Sequence, residues 1–318
     1  MVSGTKIAEE IGSSRSEVWR LVQQLRASGV AVAGHPASGY RLEKIPDLLL
    51  PEFLEPRLKD TIVQSIHHYF RIPSTNTAAM EAAAAGAPEG ATFLAEEQTA
   101  GRGRAAHFWH SARSQGIYCS MVLRPQLAPA DVLLLSLAAG LATCAAVEQV
   151  SFVLPSDEVN RSLEFDLRWP NDVLLNGRKV AGILTELTAE ATRVRYAVLG
   201  IGVNVNQASF PADLQDSATS LRVETGRTWP RVELTAALLE SLDREYHALS
   251  GGEARESILR RFEQRSSYAR GRRVRVEESG GFEGITRGLD ERGFLQVETE
   301  TGLRIVLSGG VRPLDATE

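Results

Sequence analysis

Apolar residues recur along the chain with more than one period, and each period predicts a different kind of element. Val18, Leu21, Val22 and Leu25 fall at i, i+3, i+4 and i+7, which puts them on one helical face. Ser14, with Glu17 three residues later, makes a capping-box start for that helix, and Gly29 its stop. A shorter helix over residues 5–11 precedes it, broken at Gly12-Ser13. Two short apolar runs, 30–32 and 40–42, flank a turn at 34–39 and predict a two-stranded wing. The next stretch, 46–72, contains Pro46, Pro51 and Pro56 and reads as a connector entering a strand at 62–69.

Longer apolar runs dominate the middle of the chain. Residues 91–96 and 117–123 predict buried strands, and 131–150 a long apolar helix packed on the sheet. Ser74-Thr75-Asn76 stands before an alanine-rich helix that ends at Gly86. Asn176-Gly177 between two apolar strands is a two-residue hairpin signal. A further strand at 193–203 and helices at 232–249 and 254–264 follow. From Gly271 the pattern shifts to short strands at 273–277, 281–288, 294–298 and 303–307, separated by polar turns, which predicts a small SH3-like β-barrel. The expected organisation is a shortened winged helix-turn-helix at 1–45, a connector and first strand at 46–72, a catalytic domain at 73–268 and the barrel at 269–318.

Composition narrows the function classes. The 318 residues are 43% hydrophobic and 24% charged, an ordinary globular balance with length for two or three domains. A net charge of −5 argues against a chain that coats nucleic acid as a whole. Residues 1–44 carry six Lys and Arg against four Glu, so only that module is even weakly basic. In a winged helix-turn-helix the second helix would offer Ser13, Arg15, Ser16 and Arg20 to DNA; a small docking or vestigial module is the alternative. Cys119 and Cys144 lie in apolar runs without CxxC spacing and read as buried thiols. With no N-terminal apolar segment and no uninterrupted run of 18 apolar residues, the expected location is cytoplasmic.

The candidate chemistry lies in two clusters. Gln98-Thr99-Ala100-Gly101-Arg102-Gly103-Arg104, closed by Trp109, places two glycines and two fixed cations in four residues just after a strand. Glycines let backbone amides approach a ligand, and arginine forks match phosphate or carboxylate oxygens. A solvated basic turn or an Arg-Gly nucleic-acid contact would share this composition. The second cluster is Arg168-Trp169-Pro170-Asn171-Asp172, followed by Gly177-Arg178-Lys179-Val180-Ala181-Gly182. Ser74, Thr75 and Asn76 are either plain helix caps or polar groups at a helix N-terminus suited to a ligand.

In order and spacing these motifs resemble the biotin–protein ligase family, and the flanking modules resemble its bifunctional ligase/biotin-operon repressors. The resemblance implies an α+β fold with a class II aminoacyl-tRNA-synthetase-like core of mixed sheet and flanking helices. It implies an ATP-dependent ligase that converts biotin to biotinyl-5′-AMP and transfers it to a lysine of a biotin carboxyl carrier domain. The substrates and cofactors are ATP, biotin and the Mg²⁺ that accompanies ATP; operator DNA and a homodimer are further implied partners. By the same resemblance Lys179, Arg104 and Asp172 are catalytic. Ser74, Thr75, Asn76, Gln98, Gly101, Arg102, Gly103, Arg104, Lys179 and Gly182 bind biotin. Arg102, Arg104, Trp109, Asn171, Lys179 and Asn204 bind the adenylate. Asp172 would orient or deprotonate the incoming lysine or contact Mg²⁺, with turn hydrogen bonding as its structural alternative, and Trp109 is otherwise a core tryptophan.

The sequence departs from the family in its loop. Where the family continues Gly-Arg-Gly-Arg-x-Gly-Arg-x-Trp, this chain has Ala106 and His107 in place of the later glycine and arginine, and Arg168 stands where lysine is commoner. A histidine supplies charge only when protonated, so weaker retention of the adenylate is expected. A lipoate–protein ligase and a catalytically weak, biotin-sensing DNA-binding regulator are the alternative readings. The intact Lys179 and arginine loop weigh against the second.

Overall fold

A computed structural model describes residues 1–318 except 28–29, 36–37, 45–46, 154–162, 250–251, 278–279 and 315–318. The chain divides into two compact units, 1–48 and 49–318.

In the first unit, α1 (Gly4–Glu10) and α2 (Arg15–Ala27) are followed by an antiparallel pair, β1 (Ala31–His35) and β2 (Gly39–Lys44). Its core is small: Ala8, Val18 and Val22, flanked by Ile7, Val32 and Tyr40. Leu25, expected on the apolar face, is exposed. The capping box is half made. Ser14 Oγ accepts from the Glu17 N–H at 3.2 Å, but the Glu17 carboxylate turns to Arg20 Nε at 2.9 Å instead of back to the cap. The expected stop, Gly29, lies outside the described residues.

The second unit is built on a seven-stranded mixed sheet in the order β3-β4-β5-β9-β8-β7-β6. Only β3 (Ser65–Tyr69) and β4 (Ala91–Ala95) run parallel; α4 (Thr75–Ala84) makes the crossover between them. The remaining neighbours are antiparallel: β5 (Gly116–Leu123), β6 (Phe165–Arg168), β7 (Asp172–Leu175), β8 (Arg178–Ala189) and β9 (Val194–Asn204). Successive strand residues face opposite sides, and the core divides accordingly. Phe93, Val122 and Val198 meet Ala79 and Ala83 of α4 on one face. Leu94, Met121 and Leu199 join α5 (Leu133–Val153), α7 (Arg231–Ala248) and α8 (Gly252–Gln264) on the other. A short helix, α6 (Leu221–Thr225), lies between β9 and α7. By length and composition α5 could cross a membrane; most of it is buried inside this unit, as a core helix would be.

Two expectations need correction. The connector holds a helix, α3 (Pro51–Leu58), with Pro51 in its first turn, where the missing N–H costs nothing, and Leu54 and Leu58 buried. The C-terminal strands do not close into an SH3-like barrel. β10 (Arg270–Val276), β11 (Phe282–Leu289), β12 (Leu295–Thr299), β13 (Gly302–Val306) and β14 (Val311–Pro313) form an open sheet in the order β13-β12-β11-β10-β14, with β13 and β14 as its two edges. β14 is three residues long and ends in Pro313, which has no N–H to offer a further strand. The buried face of this sheet (Val274, Val276, Leu295, Val297 and Val306) joins the main core, so its apolar side is covered without closure.

The unit is pinned by one buried ion pair. Arg231, at the start of α7, meets Glu96, just beyond β4, at 2.7 Å, with side chains 0% and 1% exposed. Glu96 also accepts from the Leu49 N–H and Ser114 Oγ and contacts His68 Nε2, while Arg231 donates to the Gly116 carbonyl. Burial alone would raise the Glu96 pKa; the His68 hydrogen bond, the Arg231 charge and the Leu49 N–H together bring it down to about 2 from an ordinary 4.5. A carboxyl depressed by folding contributes stability that is complete above its unfolded pKa and is lost as pH falls through the folded one. Glu96→Gln should therefore lower unfolding free energy at neutral pH by about 3–5 kcal/mol, because it takes the carboxylate charge from beside the buried Arg231. It should also flatten the loss of stability between pH 4.5 and about 2. Urea titrations across that range test both; equal acid sensitivity in the two proteins would assign the effect elsewhere.

Candidate functional site

Lys179 owes its position to the hairpin before it. Asn176 and Gly177 have φ of 51° and 78°, the left-handed pair a tight two-residue turn requires, and Leu175 pairs with Arg178 across it. The register slips between Val173 and Leu174, and this irregularity falls beside Lys179, whose backbone is held from its other side. The Lys179 N–H donates to the Ser217 carbonyl at 2.8 Å, and its own carbonyl accepts from the Thr219 N–H at 2.9 Å and from Asn204 Nδ2 at 3.5 Å. Its Nζ lies 2.5 Å from Asp172 Oδ1 and 5.4 Å from the centre of the Trp109 ring. Arg168 Nη2 donates to the other Asp172 oxygen at 2.6 Å. Burial alone would raise the Asp172 pKa, but Lys179 and Arg168 hold it below the usual value, so it is a carboxylate at neutral pH.

The floor of the site is a gap left by glycines. Asp172, Gly182, Gly202 and Tyr118 pair in register across β7, β8, β9 and β5, and Leu184, Gly200 and Ser120 form the next row on the same face. Trp109 occupies the first row: a Cβ at Gly202 would come within 2.5 Å of its ring. In the second row a Cβ at Gly200 would lie 2.1 Å from Asn76 Oδ1. The Trp109 Nε1–H is buried with no acceptor among the described residues, so a polar ligand atom has a donor to meet there.

The start of α4 supplies a neutral polar cluster. Ser74 caps the helix by accepting from the Thr77 N–H, and Thr75 donates to Gln98 Oε1 from both backbone (2.8 Å) and hydroxyl (3.1 Å). Gln98 Nε2 donates to Ser111, while Ser120 Oγ lies 2.6 Å from Asn76 Oδ1. Asn76 Nδ2 donates to Glu186 at 2.9 Å. Ser74, Thr75 and Asn76 are all buried.

Residues 101–109 form a hairpin-like excursion over this floor. The Trp109 N–H donates to the Gly101 carbonyl and the Gly103 N–H to the His107 carbonyl, with a single turn at Arg104–Ala106 as the tip. Gly101 is confined, since a Cβ there would lie 2.6 Å from the Trp109 carbonyl; Gly103 has room. Arg102 reaches Thr77 Oγ1 at 3.2 Å and Glu186 at 3.3 Å. Arg104 reaches Asn171 Oδ1 at 3.4 Å and the Gly309 carbonyl at 3.3 Å. Burial lowers the Arg104 pKa against the opposing charge of Asp172, but a guanidinium stays charged.

These groups surround one cavity of about 1220 Å³. Ser74, Thr75, Asn76 and Gln98 form its neutral end. Arg102, Gly103 and Arg104 of the loop line it from one side, Trp109 fills part of its floor, and Asn171, Asp172, Lys179, Gly182 and Asn204 line the remainder. Gly101 stands at the foot of the loop and does not line it. Ser13, Arg15, Ser16 and Arg20 belong to the other unit, where Arg20 is paired with Glu17 and Ser16 with Ser14. Among the described residues no group of three or more His, Cys, Asp or Glu could hold a metal ion. Ser120, Glu186 and the Ser217–Thr219 segment were missed from sequence because isolated polar residues carry no periodic signal. The Gly200-Ile201-Gly202 alternation was readable, since two glycines two apart empty one face of a strand. The cavity thus joins a neutral hydrogen-bonding end to a cationic one, as a ligand with a polar neutral head and an anionic tail requires.

Residues 69–204 match the biotin/lipoate A/B protein ligase family, residues 270–311 the biotin protein ligase C-terminal domain, and residues 1–41 an HTH domain. The chain is 35% identical to the bifunctional ligase/repressor BirA of Bacillus spizizenii, over 98% of this chain and 93% of that protein. It is 34% identical to the biotin–[acetyl-CoA-carboxylase] ligase of Mycobacterium tuberculosis, over 83% and 96%. Among solved structures, the biotin protein ligase of Aquifex aeolicus in complex with biotin and ATP superposes with a TM-score of 0.64 at 29% identity, covering 78% of this chain and 98% of that one.

If the glycine gap is what seats Trp109, Gly202→Ala must move the ring. Its contribution to tryptophan emission, isolated by comparison with Trp109→Phe, should shift to the red while far-UV circular dichroism stays as in the unaltered protein. An unshifted contribution would show that the gap does not seat the ring.

Proposed function

The chain belongs to the biotin protein ligases of the bifunctional ligase/repressor type, and from that premise we propose how this cleft performs an ATP-dependent ligation. The activity is the activation of biotin with ATP and its transfer to a lysine of a biotin carboxyl carrier protein. In the first step a biotin carboxylate oxygen forms a bond to the α-phosphorus of ATP and the bond to pyrophosphate breaks, giving biotinyl-5′-AMP. In the second the neutral amine of the carrier lysine attacks the acyl carbon, a C–N bond forms and AMP leaves.

The observation that carries the assignment is the union, in one cavity, of a neutral polar end with the cations Arg102, Arg104, Arg168 and Lys179. Ser74, Thr75, Asn76 and Gln98 fit the uncharged ring system of biotin. Arg102, Arg104, Arg168 and Lys179 fit the place where a carboxylate and a phosphate, which repel each other, must meet. Lys179 is the cation shared between the two anions. Asp172, ionised and flanked by Lys179 and Arg168, is a weak base; its part is to hold these two cations. Trp109, Asn171 and Asn204 stand towards the nucleotide, with Gly182 clearing space, and Mg²⁺ neutralises phosphate charge when ATP is bound. The loop at 101–109 covers the mixed anhydride, which water would otherwise hydrolyse.

The N-terminal helix-turn-helix supports DNA binding as a second property. An operator contact through Ser13, Arg15, Ser16 and Arg20, made by a homodimer, is the arrangement we propose for it. A gel shift with biotin and ATP present tests it: loss of the shift in Arg15→Ala is expected, and a shift unchanged by that variant would move the contact to another surface.

Lys179→Ala should reduce biotin-dependent pyrophosphate release by at least about 100-fold with the circular dichroism spectrum unchanged; turnover near the normal rate removes Lys179 from the mechanism. His107→Arg restores a permanent charge to the loop and should lengthen the release half-time of biotinyl-5′-AMP. Equal half-times, measured by chasing labelled adenylate, would mean that position 107 does not hold the intermediate.

A further inference from the structure

Lys179 is positioned from behind by a carboxylate that does not line the cavity. Glu224, in α6, accepts from Asn176 Nδ2 at 2.6 Å and from Arg178 Nη2 at 2.7 Å, on the two sides of the hairpin turn, and from the Thr219 hydroxyl. Thr219 is the residue whose N–H holds the Lys179 carbonyl, and Ser217, two residues earlier, accepts the Lys179 N–H. One carboxylate, its side chain 8% exposed, therefore ties together the turn that presents Lys179 and the segment that clamps its backbone. It also engages Arg178, leaving Lys179 as the cation of this adjacent pair that enters the site.

We propose that Glu224 is a positioning residue for the ligation: through Thr219, Asn176 and Arg178 it holds Lys179 where its ammonium spans the carboxylate and the α-phosphate. The role rests on the function proposed above for Lys179. Glu224 touches neither substrate, so its removal costs alignment and not binding, and misplacement of a reacting group by about 1 Å can lower a rate by up to about 100-fold. Burial by itself would raise the Glu224 pKa, but the Thr219, Asn176 and Arg178 hydrogen bonds with the Arg178 charge keep it below its ordinary value, so the carboxylate is ionised.

The test uses the full-length protein and two readouts. Glu224→Ala should lower kcat for biotin-dependent pyrophosphate release about tenfold with KM for biotin and ATP within about twofold, and Glu224→Gln should recover most of the loss. Separately, in the ligand-free protein, reductive methylation of Lys179 followed by peptide mass spectrometry should run at least about threefold faster in Glu224→Ala, as its ion pair with Asp172 loosens. If Glu224→Ala does not fold, Thr219→Val removes the link nearest Lys179 and is expected to show the same two changes. A kcat within about twofold of normal, a loss confined to KM, or an unchanged methylation rate overturns the proposal. Should the unaltered protein release no pyrophosphate, the ligase assignment falls, while the methylation comparison still decides whether Glu224 positions Lys179.

Discussion

The buried contact between Glu96 and Arg231 is the constraint on which the site depends. Glu96 lies two residues before Gln98, and its carboxylate and backbone carbonyl both accept from Ser114, beyond the other end of the Arg-Gly loop. Both feet of the loop are thus fixed to one charged group. Arg231 extends the same network to the first residue of β5 and anchors the start of α7. A hydrophobic pair of the same volume could be equally stable, but it could not bind four polar partners, from the entry to α3, β3, the segment after the loop and β5, at one point. The charge pair specifies where the loop begins and ends, and the core around it supplies the stability.

Against that rigid base, the cations of the cleft are held with unequal strength. Arg102 pairs with Glu186 at 3.3 Å with side chains 44% and 30% exposed, and an ion pair so wet is worth about 0–1 kcal/mol. It can leave Glu186 for an incoming anion at little cost. Lys179 and Asp172 are 29% and 13% exposed and 2.5 Å apart, so that pair is less screened by water and stronger. The difference suits a site that must admit a small acid easily and respond to the nucleotide selectively. It also means that the resident carboxylates keep the cations apart and oriented before any substrate arrives, which lowers the reorganisation left for the reaction itself.

Local signals were legible in the sequence because their physics is local. The Asn176-Gly177 turn needs two left-handed residues and states them; Ser74 before an alanine run states a cap; the apolar run that became α5 states burial. What was not legible depends on partners far apart in the chain. Glu96 and Arg231 are 135 residues apart, and Glu224 reaches back across the chain to Asn176, with no spacing to betray either link. Of the prolines that made 46–72 look like a connector, Pro51 falls in the first turn of α3, where it is tolerated, while Pro56 stands inside the helix. The barrel expected at the C-terminus failed for a tertiary reason. Its strands alternate as a barrel's would, but their apolar face is buried in the main core, and alternation cannot distinguish a sheet closed on itself from one covered by its neighbours.

Beside its two departures from the family pattern, Ala106 and His107, the loop carries a strained residue. Ala105 sits at φ 51° and ψ 33°, in the left-handed region where any residue with a Cβ costs about 1–2 kcal/mol. The hairpin hydrogen bonds of Gly101 with Trp109 and of Gly103 with His107 enclose this residue from both sides and hold it there. A tip strained in its resting form has less to lose when it rearranges around a ligand than a relaxed one would. The anchors below it, set by Glu96 and by Trp109 in the glycine gap, confine that rearrangement to Arg104, Ala105, Ala106 and His107. The departures from the family pattern and the strained backbone therefore fall within the same four residues.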